Sequence, residues 1–414
     1  MELDPGFAHA HAYLGKCIPG PEGEQHLEKA VALSSNLPEV ERLWIEHSQT
    51  VHEGDIVASR EQLGRLAALL PGDTRILFAV GYQSLQEGNW DEAAMHFRRA
   101  SKQNPKPAVW NALGHSLARQ GNLDEALVAL RKYVEAAPAE PSPYHSLGEA
   151  QLMSRNLDSA EASFRKAIEI APSFPRAWQG LAQIWFLRGQ WREGHGALTR
   201  FRRLARRPPE RVAAAAHAAI ATLAQGRLQG ALRALKLLEK RSLAEKWLAG
   251  AVVAADLQGV ALADAGKHGG ALRQFARALG HLDQPGVPAM DRAALLRSIM
   301  LHQAVSQSAL RRSDEVRSTL ERLESEWQRA PHDRRARSAV HAVRGLLASS
   351  TSDHPAAVAE LQHADRDDPY VAWQLIEAQE RAGDSRSAQQ TRARILAVPR
   401  LDILYLLVHS RVDR

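Results

Sequence analysis

The residues that could do chemistry are few and scattered. His145 and Glu149 stand four apart, as do His115 and Arg119, a spacing that puts both members of a pair on one face of a helix. A carboxylate beside an imidazole raises its proton affinity, so His145 with Glu149 has the composition of a general-base pair. Contact with a ligand, or a merely solvated surface, is the simpler use of the same residues. Gly114, His115 and Ser116 reproduce the start of a nucleophile elbow, but that motif needs a strand-to-helix turn and a closing glycine. Position 118 is Ala118. His9, His11 and Cys17 are weighed as metal ligands against scattered polar residues at the chain start, and the latter is preferred. The stretch HEGD at His52 lacks the second histidine of a zinc helix, and no GxxxxGK[ST] phosphate loop occurs. The chain therefore reads as a non-enzyme, with no catalytic residue, no cofactor and no metal. One basic cluster remains, Arg200, Arg202, Arg203, Arg206, Arg207 and Arg211. It is either a site for an acidic partner or nucleic acid, or a helix C-terminus complementing its dipole, and the second is preferred.

The elements that carry these residues repeat. Pro107, Pro141 and Pro175 open three similar segments whose starts are 34 residues apart, since 141 − 107 = 34 and 175 − 141 = 34. A fixed period of that length marks stacked supersecondary units. Within the first, Val109, Trp110, Leu113 and Leu117 recur at helical spacing and form one buried stripe. This is helix A. Gly121 can end it in the left-handed conformation, and Asn122 with Glu125 reads as a cap and capping box that start helix B. Pro138 stops helix B near Ala137. Small residues mark the helix crossing: Gly114 is expected to face Ala126, and Gly148 to face Ala160. Trp110, Tyr144 and Trp178 hold the large position on helix A, and Leu130 and Phe164 hold it on helix B. Leu147 and Phe164 are expected to be buried between hairpins, while Trp90 and Trp191 are expected to be half-buried.

The order aromatic, Leu, Gly, Ala, large apolar, Ala, Pro resembles the tetratricopeptide repeat, best through Tyr144, Leu147, Gly148, Ala160, Phe164, Ala167 and Pro172. A preceding copy carries Gly81, Ala93, Phe97, Ala100 and Pro105. The resemblance implies an all-α solenoid, a right-handed superhelix of antiparallel helix pairs whose concave face, lined by helix A, binds another protein. Carried onto this chain, the family's inward positions are Phe78, Tyr82, Asn111, His115, Arg119, His145, Glu149, Arg176, Gln179, Gln183 and Phe186. Asn111 and His115 stand where the clamp for a chaperone's C-terminal carboxylate has lysine and asparagine, which argues against a chaperone partner. Arg119 and Arg176 offer planar donors to a carboxylate, and the amides suit an extended backbone. The expected partner is a protein or peptide, partly acidic. Nucleic acid, a small-molecule substrate and membrane insertion are not expected.

The period slips after Arg206. Two adjacent prolines, Pro208 and Pro209, make RRPPER read as a linker between arrays 1–206 and 207–414, the first regular and the second degenerate. In the degenerate part Ala271 follows Ala231 by 40 residues, 271 − 231 = 40. Later pairs are placed by Leu320 and Leu323, by Gly345, Ala357 and Leu361, and by Gly383 with Ala388. Near the start, CIPGPEG shortens the first repeat into an irregular link. His47 replaces the glycine of the second, which predicts looser packing there. LDILYLLVHS reads as a last helix packed over the open end.

A single cysteine permits no internal disulfide. The absence of any run of about 18 apolar residues argues against a membrane span. With hydrophobic residues at 45% and charged ones at 24%, the chain has ordinary globular composition, and no secretory signal is visible. The expected compartment is the cytoplasm. The opening ELDP resembles the end of a helix B, so the chain reads as a piece of a longer protein. Its region 30–105 resembles repeat arrays that bacteria attach to signalling and regulatory domains.

Overall fold

A computed structural model describes residues 6–18, 21–287, 289–365, 368–399 and 401–413. Among these there are 23 helices and no strand. Contacts divide the chain between Gln120 and Gly121 into two compact units. The first holds α1 (Ala8–Cys17), α2 (Pro21–Leu33), α3 (Glu39–Glu53), α4 (Ile56–Leu69), α5 (Thr74–Gln86), α6 (Trp90–Gln103) and α7 (Pro107–Gln120). The second opens with α8 (Leu123–Ala136), α9 (Pro141–Met153), α10 (Leu157–Ile170), α11 (Pro175–Leu187), α12 (Trp191–Leu204), α13 (Pro208–Ala224), α14 (Leu228–Ala244), α15 (Leu248–Asp264) and α16 (His268–Leu282). It continues through α17 (Ala289–Ala309), α18 (Ser313–Arg329), α19 (Arg334–Ser350), α20 (His354–His363), α21 (Pro369–Arg381), α22 (Ser385–Ala397) and α23 (Tyr405–Val412).

Odd-numbered helices up to α21 are A helices and even-numbered ones are B helices. Each unit is a solenoid of such pairs, and the fold is all-α. In the second unit, successive A helices from α9 to α21 also touch one another, whereas successive B helices make no comparable contact among the described residues. The A row is therefore the inner side of that stack.

One joint recurs through both units. Gly81 leaves room for Phe97, Gly148 for Phe164, Gly259 for Phe275 and Gly345 for Leu361. A methyl group added at Gly148 would stand 2.8 Å from the Phe164 ring. The expected partner of Gly148, Ala160, is buried, but the glycine meets the phenylalanine instead. The ring of Phe164 also fills the space beside Gly180 of the next A helix, so one aromatic locks two pairs together. Leu147, expected to be buried, is only half-buried. At the corresponding joint of α3 and α4, His47 is buried, its Nδ1 3.2 Å from Ser59 Oγ, and the smaller Leu63 stands where α6, α10 and α16 have phenylalanine. The larger residue on one helix is matched by a smaller one on the other, so packing is kept rather than loosened.

A second joint, not anticipated from sequence, is polar. Ser163 bonds Gln151 at 2.6 Å, Thr319 bonds Gln307 at 3.1 Å and Thr391 bonds Gln379 at 3.0 Å. Each links helix B to a glutamine twelve residues back on helix A, where an unpaired amide would be costly.

Helix starts differ in detail from expectation. Asn122 occupies the cap of α8, but its amide donates to Glu125 Oε1 at 2.7 Å and caps no backbone amide. Asn156, its equivalent, accepts from the amide of Ser159 at 3.2 Å. The prolines of RRPPER do not break a helix; they begin one. Pro208 opens α13, where no backbone donor is needed, and Glu210 closes a capping box on Arg207. Helix length changes at that corner: α5 to α12 have 13 or 14 residues, while α13, α14 and α15 have 17 each. Longer helices account for the longer repeat. The opening ELDP, the centre of the CIPGPEG link and Pro288 of the GVPAM break lie outside the described residues.

Candidate partner-binding faces

In the first unit, the expected residues lie on α5 and α7, two A helices in contact. Phe78 and Tyr82 stack with centroids 6.4 Å apart and planes within 8°, and Tyr82 is half exposed. The guanidinium carbon of Arg119 stands 5.9 Å from the centre of the Trp90 ring, a cation–π contact that leaves Arg119 exposed. Asn111 and His115 are half-buried between them in sequence, and Asn111 Oδ1 is shielded from water with no donor. The face thus combines an aromatic plate, a cation and an acceptor that lacks a partner.

The second unit treats its share of the set differently. On α9, His145 is 5% exposed. Its ring meets Phe174 edge-on at 5.6 Å and lies 5.7 Å from Phe164. His145 Nδ1 is 3.6 Å from the half-buried Glu149, beyond hydrogen-bond range. Burial, helped by the Arg176 charge, pushes the His145 pKa down to about 3. An imidazole that is buried and reluctant to take a proton is a poor general base, which removes the acid–base reading of this pair. On α11, Arg176 is exposed and Gln179 half-buried, but Gln183 and Phe186 are buried. Phe186 was expected to line the groove. Gly194 of α12 leaves a space that a side chain would fill, and the ring turns into it, against Trp191 at 5.3 Å and His195 at 5.4 Å.

The C-terminal segment meets its expectation only in part. It packs on the last pair, α21 and α22, but also reaches back along the stack to α13. His217 Nε2 lies 3.1 Å from Gln179 Nε2 and 3.3 Å from the carbonyl of Leu401. Leu406 joins the apolar cluster of Phe186 and Leu198, and Ile403 closes beside Gln179 and Gln183. Helix α23 then packs against α13, α21 and α22, with the Tyr405 hydroxyl donating to Ile395 O at 3.2 Å. Four buried residues in succession, Tyr405 to Val408, point to every side of a helix. The last pair alone would cover only one side; α13, α21 and α22 together bury the helix on several.

Two buried polar groups in the second unit escaped sequence reasoning. Glu239 accepts from Gln258 at 2.8 Å, from Arg277 at 2.8 Å and from His281 at 2.9 Å. Asp256 holds His302 at 2.9 Å. Burial opposes a charge on His302, but Asp256, Asp368 and Asp402 together leave its pKa raised. Their partners are 19 to 46 residues apart in sequence, so no local spacing signals them. No set of three or more His, Cys, Asp or Glu side chains could hold a metal among the described residues. Nor is any described helix long and apolar enough to cross a membrane. The arginine run is partly neutralised. Arg207 pairs with Glu210 at 2.5 Å and Arg211 with Glu245 at 2.5 Å, while Arg200 lies over the Trp178 ring at 5.9 Å. Trp178, assigned to the core, is half-buried, as are Trp110, Trp90 and Trp191.

Helical hairpins stacked through a glycine-to-aromatic joint define a helical-repeat protein, a class whose members present extended surfaces to partners. Tetratricopeptide repeat profiles match residues 81–141 and 141–174. Residues 81–174 are therefore tetratricopeptide repeats. No curated protein matches its sequence. Similar solved structures include a tetratricopeptide repeat protein from Parabacteroides merdae, 18% identical, with 63% of this chain and 99% of that one covered and a TM-score of 0.45. PilW, a type IV pilus biogenesis factor, is 18% identical, with 49% and 92% covered and a TM-score of 0.40. MamA from Desulfovibrio magneticus RS-1 is 20% identical, with 40% and 94% covered and a TM-score of 0.37.

Proposed function

We propose that this protein is a non-enzymatic scaffold whose helix-A faces hold a segment of another protein. The observation that carries the reading is the face of α5 and α7, where Tyr82 and Arg119 are exposed and Asn111 Oδ1 is buried without a donor. Aromatic and arginine side chains are the usual anchors of such interfaces. An acceptor shielded from water costs free energy until a donor reaches it, and a peptide amide would supply one. The partner segment is partly acidic, because Arg119 in the first unit and Arg176 in the second are exposed cations suited to carboxylates. The change of helix length at residue 207 supports reading 1–206 and 207–414 as two arrays of different repeat type. A lone exposed Cys17 is compatible with a reducing, cytoplasmic setting.

The test is photo-crosslinking in the source cell. A photoreactive residue at Tyr82 should capture a defined protein, and the same group at Met95, exposed on the B helix α6, should not. Equal capture from both positions would reject the A face as the site.

A further inference from the structure

Residues 401–412 lie on the inner, helix-A side of the second unit. Stacked hairpins bury their cores against immediate neighbours, so a repeat array does not require an element that joins α13 to α21 and α22. The segment is held as a helix in a groove is held, by apolar anchors and a terminal polar contact. Leu404 to Val408 are buried, and Arg411 Nε and Nη2 donate to the two Asp264 oxygens at 3.0 and 2.6 Å.

The seat is larger than its occupant. An open pocket of about 310 Å³ lies where Leu407 and Val408 meet Leu346, Tyr370 and Trp373. Two donors along the segment's path also lack acceptors, Gln183 Nε2 at one end and Arg411 Nη1 at the other. The wall itself contributes the carboxylates of Asp264 and Glu377.

We infer that this surface is a docking site for a helical segment of another protein, and that residues 401–412 are its resident self-ligand. The seat specifies the partner's chemistry: a short helix with several apolar residues in succession, a bulky side chain where Leu407 leaves the pocket, and a basic residue opposite Asp264. The site uses different residues from the open face of the first unit and does not depend on it.

The test uses the full chain and two labelled peptides, one with the sequence of residues 401–413 and one carrying Leu407→Trp. In the chain, Arg411→Ala loosens the resident segment and leaves Asp264 available. Apparent affinity follows the fraction of molecules whose seat is open, so the Arg411→Ala chain should bind the first peptide about tenfold more tightly than the wild type does. The Leu407→Trp peptide should bind more tightly again, and adding Asp264→Ala should abolish the gain. In the wild type, amide hydrogens of 405–412 should exchange faster than those of α13 while the repeats stay protected. If Arg411→Ala does not fold, that exchange pattern decides alone. Exchange of 405–412 only with global unfolding, or equal peptide affinity for both chains, would overturn the inference and make α23 an ordinary core helix.

Discussion

The pairs α9 to α12 and the pairs α13 to α16 solve one packing problem with helices of different length. In both, a glycine on helix A receives a phenylalanine from helix B, Gly148 with Phe164 and Gly259 with Phe275. Around that shared joint the two regions diverge. The shorter pairs bury a neutral histidine, His145, among aromatic rings, whereas the longer ones bury the carboxyl groups of Glu239 and of Asp256, which holds His302 of α17. The repeat is therefore carried by the joint rather than by the period, and helix length can change while the joint is kept.

If the joint is the same in both regions, Phe164→Ala and Phe275→Ala should destabilise the protein equally, each by about 3–5 kcal/mol in denaturant unfolding, the cost of deleting a buried aromatic. A difference of more than about 2 kcal/mol between them would show that the long pairs are held by something else, with the polar networks the first suspects.

Acid and base should separate the regions. His145 is neutral in the native state, with a pKa of about 3 against an ordinary value of about 6.5. Between those values the unfolded chain binds a proton that the native chain does not, so stability falls as pH drops through this window, by about 3 kcal/mol at pH 4. His145→Gln should flatten that slope. His302 is raised, so its contribution is full below the unfolded pKa and is lost as pH rises through the folded one. His302→Gln should remove a loss seen on the alkaline side. Identical pH profiles for the two variants would contradict the contrast.

Filling the joint sharpens the comparison on a smaller scale. Gly148→Ala and Gly259→Ala both force a methyl group against a phenylalanine ring, and each should lower stability by about 1–3 kcal/mol through overpacking. The smallest effect concerns a turn between two pairs. Turns from helix A to helix B mostly use glycine at positive φ, but Lys246, in the turn from α14 to α15, adopts φ 56 and is exposed. Lys246→Gly should raise stability by about 0.5–1 kcal/mol by relieving the left-handed strain. A loss of stability would mean that the lysine side chain has a role there.

The shorter pairs were legible in the sequence because their signals are local. Proline at the first helical position, glycine at the turn and apolar spacing within one helix all lie within a few residues of what they control. Phe186 was misread because its direction depends on Gly194, a residue in the next helix whose lack of a side chain leaves no periodic trace. The C-terminal segment was recognised as an apolar helix, but its seat is built from residues up to 184 positions away in sequence. The same distance hides the carboxylates around His302. Pro208 and Pro209 were misjudged for a different reason: a proline pair disrupts a helix interior but suits a helix start, and the choice turned on Glu210 closing the cap on Arg207.

The account rests most directly on the exposed cations of the helix-A faces. With the protein captured at Tyr82 in hand, its affinity for the wild type and for an Arg119→Ala, Arg176→Ala double variant should be compared by titration calorimetry, with circular dichroism to confirm that the variant stays helical. Loss of charge-assisted hydrogen bonds should weaken binding by about 1 kcal/mol or more, close to fivefold. Unchanged affinity in a folded double variant would contradict the account and shift the search to the B helices or to the exposed Arg202 and Arg203.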